Sequence, residues 1–112
     1  MAELGIVFPM LPGKRPALEA FAGALAGPRR DEYASSQISV LQESWFVQNT
    51  PGGDLIIVHL EAADPGAVFA NLAASREPFD IWFREQTHDI TGIDLTQMPA
   101  ALPEKVFQWA RK

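Results

Sequence analysis

The chain has 112 residues, 47% of them hydrophobic and 21% charged, with no cysteine and a formal net charge of −5. That length supports one domain over residues 1–112 with a core of its own. Without thiols there are no disulfides, thiolate metal ligands or cysteine nucleophiles, and the acidic balance argues against a nucleic-acid partner.

Leu4 to Leu11 is short and apolar, ends before Pro12-Gly13, and reads as a first strand. Lys14 to Ala26 is helical: Leu18, Phe21, Ala22 and Leu25 make one apolar stripe, and Pro16 sits in the first turn where its missing N–H costs little. Gly27-Pro28 ends that helix. Arg29 to Gln37 is polar, with Tyr33 its only large apolar group, and fits either a helical turn or a loop. From about Ile38 to Glu61 the sequence predicts a β-hairpin, its first arm rich in aromatic and β-branched residues and its second in Ile and Val, turning at Pro51-Gly52-Gly53-Asp54, with Gly52 and Gly53 expected at positive φ. Asp64-Pro65 is a helix start, and Val68, Phe69, Leu72 and Ala73 form the buried stripe that follows. Glu77-Pro78 interrupts. A second helical piece runs from Pro78 to about Asp89, with Asp80 and Arg84 as an i,i+4 pair, and Gly92 stops it. Gln97 to Pro103 is a connector, and Lys105 to Ala110 reads as a last strand.

The order β-α-β-β-α-β, with the second helix broken, predicts an α+β fold of the ferredoxin-like kind: a four-stranded antiparallel sheet with the helices on one face. Several strands are apolar on both sides, as in Ile6 with Val7, Phe46 with Val47 and Ile57 with Val58. One helix layer covers one face only, so the other face predicts a homodimer. No apolar run approaches the ~18–20 residues of a membrane span, and Met1-Ala-Glu-Leu4 lacks the positive start of a secretory signal. A soluble cytoplasmic protein is expected.

The opening strand Leu4-Gly-Ile-Val-Phe8, the hairpin Glu43-Ser-Trp-Phe-Val47 to Leu55-Ile-Ile-Val-His59, and the closing Val106-Phe-Gln-Trp109 resemble the dimeric α+β-barrel superfamily. The resemblance is nearest to the small bacterial proteins beside the antibiotic-biosynthesis monooxygenases. It rests on element order and strand character over the whole chain. It implies ferredoxin-like subunits whose sheets pair into a barrel around a small-ligand pocket. Cofactor-independent monooxygenase-like or isomerase-like chemistry is implied as well, and no catalytic motif selects one branch.

His59 and Glu61 stand two apart on one strand and so share a face. With His88 they superficially match a two-His-one-carboxylate metal set, but the fold that carries such a set is a jelly roll, so no metal is expected. Glu43 and His59 are the candidate acid–base pair if they meet across the hairpin. A two- or four-residue loop about Gly52-Gly53 pairs His59 with Phe46 and puts Glu43 on the other side. A five-residue loop pairs His59 with Trp45 and Glu61 with Glu43. Trp45, Glu61, Trp82 and Trp109 are the candidate ligand contacts. The function expected is binding of a small, partly aromatic molecule without a cofactor; the alternative is a non-catalytic accessory or ligand-sensing dimer.

Overall fold

The computed structural model describes residues 2–98 and 101–111. Three strands, β1 (Ala2–Pro9), β2 (Val40–Thr50) and β3 (Gly53–Ala62), form one antiparallel sheet in the order β1-β3-β2. Four helices accompany it: α1 (Arg15–Ala26), α2 (Arg30–Ser36), α3 (Pro65–Ala74) and α4 (Pro78–Thr91), followed by a 3-10 turn at Leu95–Gln97. The architecture is α+β, as the sequence predicts. Among the described residues no helix is long and apolar enough to cross a membrane.

Alternation along each strand decides the core. Leu4, Ile6 and Phe8 of β1 pair with Leu60, Val58 and Ile56 of β3, and all six are buried. Leu18, Phe21 and Leu25 of α1, Val68 and Leu72 of α3, and Phe79, Phe83 and Ile90 of α4 complete the same cluster. Local signals end the helices where expected. The Asp64 carboxylate accepts the Ala67 N–H at 3.2 Å and caps α3. Gly92, at φ 76°, takes the left-handed position that closes α4 and gives its N–H to the His88 carbonyl.

The hairpin turns on Pro51 and Gly52, with Thr50 opposite Gly53. Gly53 alone takes a positive φ, 124°; Gly52 does not. His59 therefore lies opposite Ser44 and Glu43 opposite Leu60; neither expected partner of His59 is found, but Glu43 is on the other side of the sheet, as expected for a two-residue loop. A bulge at Leu41 lies between Val40 and Gln42.

Among the described residues no helix lies on the opposite face of the sheet. Val7, Ile57 and Phe46 form an apolar row straight across the three strands, and in the next row Pro9 and Leu55 stand beside the polar Gln48. Beyond them the rows turn polar: Gly5, His59 and Ser44, then Glu3, Glu61 and Gln42. Val7 and Phe46 are 54% and 56% exposed.

The expected fourth strand is not formed. Lys105–Ala110 is irregular, and Val106, Phe107 and Trp109 are exposed. The Lys105 ammonium is drawn to Glu3 at 2.7 Å, beside the first residues of β1. An antiparallel strand begun there would run past Ala2 and off its own sheet, so the outer edge of β1 has no partner strand among the described residues.

Candidate functional site

Glu43 is the one charged side chain that β2 turns toward the helices. Its place opposite Leu60 puts it on the core face, next to Trp45, which lies opposite Val58. The Tyr33 hydroxyl donates to one carboxylate oxygen at 2.6 Å, and the Trp45 indole N–H donates to the other at 2.6 Å. Tyr33 comes from α2 and its ring stacks on Phe83, with centroids 5.6 Å apart and planes 9° from parallel. Burial pushes the Tyr33 phenol far above its ordinary value, and the Glu43 charge adds to the shift. Tyr33 is therefore a protonated donor at neutral pH.

Two spaces meet at this carboxylate. A cavity of about 60 Å³ lies between sheet and helices, walled by Phe21, Trp45, Phe83 and Thr87 among others. With roughly 30 Å³ per water, it has room for a water or two and not for an aromatic ring. On the outer side an open groove of about 330 Å³ runs along Ala22, Leu25 and Ala26 of α1, with Tyr33, Glu43 and Trp45 as its other wall. That volume falls at the low end of the ~300–1,000 Å³ typical of small-molecule sites. The two alanines keep the groove open; larger side chains on that stripe would fill it.

The other residues singled out by sequence lie elsewhere. His59 and Glu61 project from the open face, so the sheet itself separates them from Glu43, and no Glu43–His59 acid–base pair forms. The partner of His59 is Glu3, with 3.9 Å from Nε2 to the carboxylate. Trp82 packs its ring on Phe21 and Phe79, and the Arg29 guanidinium covers it at 4.0 Å from the ring centre. Trp82 lines neither space, and Arg29 serves as its lid. Trp109 is in the exposed arm, 4.8 Å beneath the Arg111 guanidinium. His88 is exposed in the last turn of α4, on the helix side of the sheet. Asp80 and Arg84 do not pair as expected. Asp80 accepts hydrogen bonds from the Ser36 and Ser75 hydroxyls. Arg84 donates to the Leu72 and Ser75 carbonyls at the end of α3. The site residue the sequence underplayed is Tyr33, and its signal was a lone aromatic in a polar stretch.

Glu3, His59 and Lys105 form a second polar group at the rim of the open face. The Lys105 hydrogen bond, helped by its charge and by His59, holds the Glu3 carboxyl below its ordinary value of 4.5. A carboxylate depressed in the folded state stabilises fully above that ordinary value, and the contribution is lost as pH falls through the depressed one. Lys105→Gln is expected to let the Glu3 titration climb back toward 4.5, read by carboxyl NMR across an acid series. An unchanged titration would mean that the lysine does not rest there in solution.

Comparison of the chain with protein-family models, with curated proteins and with solved structures finds no match.

Proposed function

We propose that the protein binds a small molecule made of a flat apolar ring bearing a protonated amine, seated in the groove between α1, α2 and β2. The ring would lie over Ala22 and Ala26 beside Trp45, with the amine against Glu43. The observation that carries this reading is the placement of one carboxylate at the head of an apolar, alanine-floored groove of about 330 Å³. A carboxylate there favours a cation over an anion of the same shape, and its two neutral donors, Tyr33 and Trp45, fix its orientation without neutralising it. Chemistry of the monooxygenase or isomerase kind would have to draw its proton acceptor from Glu43, because His59 faces away.

Tryptamine and indole-3-acetate carry one ring system and opposite charges. Titrated into the isotopically labelled protein, tryptamine is expected to shift the Ala22, Ala26 and Trp45 indole signals at lower concentration than the acid. Glu43→Gln should abolish that preference and leave the fold intact. Equal binding of both, or of neither, would remove the charge argument.

The subunit is read as half of a homodimer of the dimeric α+β-barrel type, with the row Val7, Ile57 and Phe46 as the surface to be covered. A second reading is favoured by one feature: both oxygens of Glu43 already have partners inside the subunit. On that reading Glu43 is a brace between α2 and β2, the protein is a non-catalytic dimer, and Glu43→Gln costs stability with no ligand to lose.

A further inference from the structure

We infer that the arm Lys105–Arg111 is an exchanged segment: it leaves its own subunit and lies along the free β1 edge of a second copy, turning Phe107 and Trp109 over that copy's apolar row. The inference rests on the homodimer proposed above and names what holds the dimer together.

Three observations converge. Val106, Phe107 and Trp109 are 94%, 78% and 64% exposed, an apolar load that a subunit alone leaves in water. The arm is pinned at its root, with the Lys105 ammonium 2.7 Å from Glu3 and 2.6 Å from Gln108. From that root, an antiparallel course along its own β1 has, among the described residues, only Ala2 left to pair with. The unmatched counterpart is on the same chain: a β1 edge with no partner strand among the described residues, and the uncovered row Val7, Ile57 and Phe46. A two-fold pairing satisfies both surfaces twice over.

Alternation and charge suit the fit. In an extended arm Lys105, Phe107 and Trp109 share one side. The six residues after Lys105 reach roughly 20 Å, enough to follow most of the eight residues of β1. Lys105 and Arg111 bracket the arm with positive charge, and the polar end of the open face presents Glu3 and Glu61. Main-chain pairing along the β1 edge would supply the hydrogen bonds, and the two aromatics the anchors.

Sedimentation velocity on the wild-type chain and on the double variant Phe107→Ser, Trp109→Ser tests this, with circular dichroism as the check on folding. The expected result is a wild-type dimer whose dissociation constant rises by roughly 30-fold or more in a folded variant, the loss typical of removing interface aromatics. A wild-type monomer at tens of micromolar would overturn the dimer and the arm together. A dimer that the double variant leaves unimpaired would overturn the arm alone. The absence of cysteine allows an independent readout. Trp109→Cys protein mixed with Val7→Cys protein should form a disulfide-linked pair of chains under mild oxidation, because Val7 stands on the edge strand that the arm would follow. No link between them would sink the exchange even where the double variant fails to fold.

Discussion

Leu60→Ala is expected to cost about 2–5 kcal/mol of stability, while Phe46→Ala in the single chain, free of the proposed dimer, should stay within about 0.5 kcal/mol. Leu60 is 2% exposed at the centre of the middle strand, between Leu4 on β1 and Glu43 on β2. Its removal leaves a cavity in the core, and a strand hydrogen-bonded on both sides relaxes little to fill it. Phe46 is the larger side chain, but it stands 56% exposed on the uncovered face. The contrast inverts what side-chain size alone would suggest. Urea denaturation of the two variants measures it directly. Because a slip of one residue exchanges the faces of β2 or β3, comparable losses at both positions would contradict the register.

Asp80→Ala should be the costliest polar substitution, at roughly 3 kcal/mol, since it removes a charged acceptor from two hydroxyl donors at once. Asp80 is 7% exposed, and it ties Ser36 at the end of α2 and Ser75 at the end of α3 to α4. Helix α2 has seven residues, none buried, too few to stand without such ties. The same substitution should therefore reach the groove: α2 carries Tyr33, and a loosened α2 withdraws the hydroxyl that orients Glu43. Ser36→Ala is expected to cost about 1 kcal/mol. Guanidinium unfolding gives the stabilities, and exchange of the α2 amides reports the local loosening. An Asp80→Ala protein within 1 kcal/mol of wild type would show that the carboxylate is dispensable to this junction.

What the sequence could reveal divides along the range of the interactions involved. Elements governed by near neighbours were legible: the stripe of Leu18, Phe21 and Leu25, the Asp64-Pro65 start, the Gly92 stop and the two strands of the hairpin. Register was not, because Pro51-Gly52-Gly53 accommodates several loops and the choice is made by burial on the far side of the sheet. That single ambiguity is why Glu43 and His59 were grouped. Their composition suits a catalytic pair; one residue of register puts a sheet between them. Helix α2 was half-legible, since its stability comes from Ser36 and Tyr33 reaching other elements rather than from its own periodicity. Val106-Phe-Gln-Trp109 has the character of a strand, but strand character does not say where a strand can go. Once Lys105 is fixed at Glu3, its own sheet has no room for it.

The middle strand of the sheet is the last of the three to be synthesised. β1 and β2 are not neighbours, and each makes its sheet hydrogen bonds only with β3. A ribosome that has delivered the chain as far as Thr50 thus holds two finished strands with nothing to pair with, and Leu4, Ile6, Phe8 and Trp45 have no sheet to join. The hairpin can zip locally as β3 emerges, whereas β1 must wait for the closure of a loop of some forty residues or more. Order along the chain and order in space run against each other here, so no part of the sheet forms before β3 emerges, and no amino-terminal fragment that stops short of β3 contains a sheet at all.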